Sequence, residues 1–333
     1  MKTVKIVCML ALCVFAASGA FAGGQGDSSA GGKSFSLKMS TQLAETSPMV
    51  KGFKIWGENV AKKTNNGITI QVYPAAQLGS DEDVIEQALQ GVNVAVLTDG
   101  GRMSNYVKDI GIIGMPYIAD NYAELRKVTE TAVFGKWEQQ LVGEGIRVLS
   151  FNWYDGPRHF LTNVPVKVPA DLKGVRVRTP GAPVWARSVA AMGATPVAMP
   201  WNESYTAVQS KAVDGVEAQH SASFPLRIYE VLKYIDKTSH FQLANGIITG
   251  EKWFSQLPED FKKILSDECK AAAYDNAKLI ESLADDFEKQ MVDKGMIVVD
   301  SDREAFRKAA EAAYKELGFE ALRNQIWTEI GKK

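Results

Sequence analysis

The chain has 333 residues, 38 lysines and arginines against 39 aspartates and glutamates, and a formal charge of −1. That near-neutral balance excludes the basic footprint of a nucleic-acid binder, and the length allows two ordinary domains. Three cysteines and three scattered histidines (His159, His220 and His240) exclude a disulfide framework and a zinc motif, so stability must come from core burial.

Met1 to Ala22 reads as a cleaved export signal. Lys2 and Lys5 precede the apolar run Ile6 to Ala17, and Ala20-Phe21-Ala22 is a small-residue cleavage site. The run is too short to span a bilayer. A lipoprotein centred on Cys13 is the weaker alternative, since bulky Leu12 precedes it. Without the leader the charge becomes −3 and Cys269 stands alone. Residues 23–34, rich in Gly and Ser, form a flexible linker.

Phe35, Leu37 and Met39 alternate with polar residues, the mark of a strand. A helix follows on Met49, Phe53, Ile55, Trp56 and Val60, and Asn66-Gly67 turns it into a strand from Ile68 to Tyr73. Gly79-Ser80-Asp81-Glu82 caps a helix closed by Gly91, and Val94 to Leu97 is the next strand. Ile146 to Phe151 is a buried strand leading into a segment whose Gly156-Pro157 is a natural crossing between lobes. Asp171 to Ser221 contains strand, helix, strand, helix and strand, a βαβαβ unit. Such strands run parallel, and ligands bind outside their carboxyl ends. Arg178, Trp201 and Glu217 sit at or just past those ends. A helix through Tyr229 and Leu232 leads to strands at Tyr234 to Gln242 and Asn245 to Thr249. From Pro258 to Lys294 a helical pattern runs without a breaker, roughly 55 Å at 1.5 Å per residue, with a bend near Ala271-Ala272-Ala273 as the alternative. A last strand at Met296 to Val299 and an amphipathic helix from Asp302 to Leu317 close the chain.

An arginine at the mouth of such a crevice suits a carboxylate, which its planar fork can hold through two charge-assisted hydrogen bonds; a surface arginine at a strand end is the plain alternative. Three linked runs decide more: Leu172 to Pro180 (LKGVRVRTP), Pro200 to Gln209 (PWNESYTAVQ) and Ala212 to Glu217 (AVDGVE). From about Phe35 to the C-terminus the chain resembles the DctP-type substrate-binding proteins of tripartite ATP-independent periplasmic (TRAP) transporters. The resemblance implies an α/β, two-lobed periplasmic-binding-protein-like fold with a long helix spanning both lobes. Lobe I would comprise residues 35–155 and 244–283, and lobe II residues 156–243 and 284–333.

By the same resemblance Arg178 makes the main bidentate contact with a ligand carboxylate, and Arg158 a second contact, direct or through water. The alternative for Arg158 is a partner for an interlobe acid. Trp201 would cover the apolar body of the ligand, or else belong to the core. Glu217 would orient arginines or accept a ligand hydroxyl or amine. Where some sialic-acid and dicarboxylate binders have Asn and then Pro after this Glu, Ala218 and Gln219 stand here, and Gln219 or His220 would compensate. Gln42 and Tyr117 lie in loops that face substrate in the family, as does Thr98-Asp99. Trp153 and Tyr154 would line the cleft or pack the hinge, one of them packing.

Hydrolase, metalloprotease, Walker and dinucleotide motifs are missing. The reading is therefore a non-enzymatic periplasmic receptor, a monomer without cofactor or metal. It binds a small organic acid anion and delivers it to the TRAP integral membrane subunits. The alternatives are a secreted α/β enzyme acting on a small carboxylate, or the receptor of an ATP-driven importer.

Overall fold

A computed structural model describes residues 34–332; the expected export signal and nearly all of the linker lie outside the described residues. Strand β1 (Phe35–Ser40) leads through helix α1 (Pro48–Lys63) to β2 (Ile68–Tyr73), and α2 (Asp81–Leu89) leads to β3 (Val94–Asp99). Capping starts each helix: Ser47 Oγ accepts from Met49 N at the head of α1, and Ser80 and Asp83 form a reciprocal capping box on α2. Short helix α3 (Gly100–Met103) and helices α4 (Tyr122–Thr129) and α5 (Ala132–Gly143) lead to β4 (Ile146–Thr162).

The expected βαβαβ unit is present as β5 (Arg176–Thr179), α6 (Pro183–Ala191), β6 (Thr195–Ala198), α7 (Ser204–Gln209) and β7 (Gly215–Gln219). Its three strands are parallel. Gly193 ends α6 at φ +105°, and a Cβ there would lie 2.3 Å from the Pro169 carbonyl oxygen, so glycine is required twice over. Then follow α8 (His220–Ser223), β8 (Tyr234–Gly250), α9 (Glu251–Phe254), α10 (Glu259–Asp293), β9 (Ile297–Val299), α11 (Arg303–Leu317) and α12 (Glu320–Ile330).

The strand order is β2-β1-β3-β8-β4-β7-β5-β6, with β9 beside β8. Two parallel sections, one at each end, are joined by the long antiparallel pair β4 and β8, each 17 residues. This is the two-lobed α/β architecture expected. Two expected details differ. The break after Phe151 and the gap between Gln242 and Asn245 are bridged: β4 and β8 run on, with register shifts absorbing Gly156 (φ +106°) and Pro157 inside the strand. The helix through Tyr229 and Leu232 is a single 3-10 turn, Ile228–Glu230, because Arg227 is left-handed at φ +60°. The long unbroken helix expected from Pro258 to Lys294 is present as α10, 35 residues and about 52 Å, without the alternative bend near Ala271.

That helix touches both ends of the molecule. Near its start Trp56 of α1 donates to the Leu265 carbonyl at 3.1 Å, at its middle Asn152 of β4 donates to the Lys270 carbonyl at 3.1 Å, and near its end Glu288 meets His220 of α8 at 3.2 Å. Small Ala272, Ala273 and Ala277 lie on its buried face and allow close approach to the sheet. No described helix is long and apolar enough to cross a membrane.

Candidate functional site

Between the two lobes lies a cavity with about 520 Å³ of atom-free space, counting its opening to solvent. The loop after β1, the head of α2, the end of β3 and helix α3 build one wall with Gln42, Asp81, Thr98, Asp99 and Arg102. Strands β4, β5 and β7 and the segment after β6 build the other with Arg158, Arg178, Gln219 and Trp201, joined by Trp185 of α6. Asp155 lies on the stretch of β4 between the walls.

Arg178 is the centre of the second wall. It is 2% exposed, its Nε donates to the Met199 carbonyl at 2.9 Å, its guanidinium lies 5.3 Å from the Trp201 ring, and its Nη2 has no hydrogen-bond partner among the described residues. Burial pulls its pKa down to about 9, with Arg102 and Arg158 adding to the pull against the opposing charge of Glu217.

Arg158 is differently committed. Its Nε and Nη2 hold the Glu217 carboxylate bidentately at 2.5 and 2.7 Å, Nη2 also reaches the Glu217 carbonyl at 2.6 Å, and Nη1 donates to Gln219 Oε1 at 2.8 Å. Burial opposes ionisation of Glu217, yet the Arg158 charge and hydrogen bonds, with His240 3.7 Å away, bring its carboxyl below the ordinary range. Gln219 then bridges onward, its amide donating to Asp155, which also accepts from Ser221 Oγ at 2.7 Å. Burial still raises Asp155 to about 6.

On the first wall Arg102 pairs with Asp99, with Glu82 at 2.8 Å and with Asp81 at 3.3 Å. Its burial is outweighed by these three carboxylates, so its guanidinium is held more firmly charged than usual, while burial raises Asp81 to about 6. Two hydrogen bonds tie the walls together: Trp185 Nε1 to Asp99 Oδ1 at 2.8 Å and Trp201 N to Gln42 Oε1 at 2.6 Å. Beyond Arg178 Nη2, the buried polar atoms Gln42 Nε2, Asp81 Oδ1 and Thr98 Oγ1 also lack partners among the described residues, and all four belong to residues of this cavity. No group of three or more described His, Cys, Asp or Glu side chains is placed to hold a metal ion.

A sequence model of the family described as "Bacterial extracellular solute-binding protein, family 7" matches residues 39–320. The chain belongs to this family. Its relatives include the C4-dicarboxylate-binding periplasmic protein DctP of Rhodobacter capsulatus, 31% identical over 68% of this chain and 68% of that one. The sialic acid-binding periplasmic protein SiaP of Vibrio cholerae is 26% identical over 84% of this chain and 87% of that one. Among solved structures, a TRAP periplasmic solute-binding protein from Ochrobacterium anthropi with bound L-fuconate superposes with a TM-score of 0.87 at 31% identity, covering 89% of this chain and 99% of that one. The protein is thus a TRAP-type solute-binding receptor of the DctP kind.

In this receptor the structure brings Arg178, Arg158, Trp201, Gln219 and Gln42 to one cavity. It does not bring the other four residues expected there. Glu217 is fully buried behind the wall as the counter-ion of Arg158. Trp153 is turned by the register shift beside it into the core, 4.9 Å from Phe53, with its indole N–H on Ser150 Oγ. Tyr154, on the other face of the strand, stacks on Tyr122 at 4.5 Å and donates to Gln242 Oε1 at 2.7 Å. Neither aromatic lines the cavity; the next residue, Asp155, does. Tyr117 donates to the Thr238 carbonyl at 3.1 Å and lies beneath the Arg307 guanidinium, away from the cleft.

Asp81, Arg102, Asp155, Trp185 and Asn245 line the cavity without having been singled out. Asp81 and Arg102 follow β2 and β3, so the rule that ligands bind past the carboxyl ends of parallel strands reaches them.

Proposed function

We propose that this receptor closes its two lobes on a small organic acid, with the ligand carboxylate held by Arg178 and its body covered by Trp201. One observation carries the reading: a guanidinium buried to 2% exposure, with an unpartnered Nη2, at a polar cavity. An uncompensated buried charge is costly, and a carboxylate arriving in that dry site supplies the missing partner. The acids for which the relatives above are named, and the L-fuconate in the neighbouring structure, support the same class. Arg158, satisfied by Glu217, serves the site by presenting Gln219 and, through one remaining Nη1 hydrogen, a weaker contact.

Lobe I is proposed to comprise residues 35–155 and 244–283 and lobe II residues 156–243 and 284–333. The register shift between Tyr154 and Gly156 supports a hinge there. The chain is proposed to act as a monomer in the periplasm, after removal of residues 1–22, and to pass its ligand to the TRAP membrane subunits. A ligand that bridges both walls favours the closed form over the open one, which gives those subunits a state to recognise.

The test is a thermal-shift screen of the purified receptor against small organic acids, with mass spectrometry of each acid after incubation. A saturable rise in melting temperature with the acid recovered intact supports a receptor. Consumption of the acid points to an enzyme, and a screen in which no acid shifts the protein sinks the assignment.

A further inference from the structure

The charges on the two walls restrict what the far end of the ligand can be, an inference that rests on the reading above that Arg178 takes the acid group. Of the three arginines at the cavity, Arg158 is neutralised by Glu217, and Arg102 faces Asp81, Glu82 and Asp99. Arg178 is the one of the three with no salt-bridge partner among the described residues. The first wall is the reverse: two lining carboxylates, Asp81 and Asp99, share one guanidinium with the half-exposed Glu82 outside the lining, and Asp155 adds another buried carboxyl between the walls.

One ligand carboxylate therefore completes the open pair. A second would be pressed against an excess of like charge in a site that water screens poorly. The unpartnered atoms on the first wall ask for something else. Asp81 Oδ1 is an acceptor, Gln42 Nε2 a donor that lies near Asp81 without reaching hydrogen-bond distance, and Thr98 Oγ1 can do either, so hydroxyl groups, which donate and accept, satisfy all three.

We propose that this receptor selects hydroxylated acids bearing a single carboxylate, and that Asp81 is the residue that discriminates against a second anionic group. Asp99 is committed to Arg102 and Trp185, which leaves Asp81, with one free buried oxygen, to meet the ligand tail.

Isothermal titration calorimetry on the purified receptor tests this with matched probes. Galactonate is paired with galactarate and gluconate with glucarate, each second member carrying a carboxylate in place of the terminal hydroxymethyl group; succinate is added as an acid without hydroxyls. The expected result is an aldonate that binds and an aldarate about 100-fold weaker, the weight of a like-charge contact near 6 Å at an effective permittivity of about 20. Asp81→Asn is expected to shrink that ratio about tenfold. Because Asp81 also opens α2 and pairs with Arg102, Asp155→Asn is measured beside it and is expected to shift the ratio in the same direction if Asp81→Asn fails to fold. An aldarate or succinate binding as tightly as the aldonates, or a ratio unmoved in both variants, overturns the proposal. If Arg178→Ala still abolishes that binding, the carboxylate reading survives; if binding persists in Arg178→Ala, the reading beneath it falls as well. Binding by none of the probes overturns the proposal too.

Discussion

Replacing Arg178 separates what the residue does for binding from what it costs the fold. At pH 7 the guanidinium is charged in the unfolded chain and in the folded one, but burial has brought its pKa from 12.5 down to about 9. A base whose folded pKa is depressed destabilises the native state below that value, here by roughly 5 kcal/mol. Arg178→Met, long and apolar, removes that cost together with the bond to the Met199 carbonyl, so the ligand-free variant is expected to melt several degrees higher. Binding is expected to move the other way. Losing one partner of a buried ion pair costs about 3 to 5 kcal/mol, which takes a micromolar ligand, at about 8 kcal/mol, to the high-micromolar or millimolar range. Calorimetry on the variant with the acid found in the screen, and differential scanning calorimetry without it, check both halves. Near-native affinity in Arg178→Met would refute the placement of the carboxylate, and a ligand-free melting temperature several degrees lower would refute the account of the buried charge.

Glu217→Ala strands the Arg158 guanidinium, which is 5% exposed, and is expected to cost about 3 to 5 kcal/mol in urea unfolding; a loss under about 1 kcal/mol would mean the pair is not what holds β4 to β7 there. Trp185→Phe keeps the edge-to-face contact with Phe241 but deletes the bond to Asp99, so ligand affinity is expected to fall about tenfold, the worth of one hydrogen bond to a charged group at about 1.5 kcal/mol; an unchanged Kd would show that this bond does not favour closure. The contribution of the strongly shifted carboxyl groups to stability is expected to be greatest near pH 4 and to fall as pH rises toward 7. Asp81 and Asp155 are raised to about 6 and Asp236 to about 7 by burial, so their contribution is full below about pH 4 and is lost as pH rises through 6 to 7. Glu288, held at about 2 chiefly by its bond to His220, contributes above about 4.5 and loses that as pH falls. Asp236→Asn is expected to flatten the alkaline side of a melting-temperature profile, and a profile unchanged by it would contradict the assignment.

The βαβαβ unit was legible because its signals are local. Val175 to Arg178 alternates, Gly193 stops a helix, and the strand ends put Arg178 and Trp201 at the crevice by topology alone. The lengths of β4 and β8 were not legible, since Gly156-Pro157 reads as a break and only the partner strand supplies the bulges that carry it within a ladder. The cluster around Arg102 joins residues about twenty positions apart through charge, which no periodicity records. Trp185 lies on the buried face of α6, but helical periodicity cannot say that its indole N–H crosses to Asp99. For Trp153 and Tyr154 the chemistry was plausible and the geometry decided otherwise: in a strand neighbouring side chains leave by opposite faces, and here both faces are packed.

Three continuous stretches of backbone, β4, β8 and α10, pass from one half of the molecule to the other. A joint tied by that many straps can flex about one axis but resists swivelling, more like a leaf spring than a ball and socket. Each empty-to-loaded stroke is then expected to retrace the same path, so a membrane partner meets only one open and one shut outline.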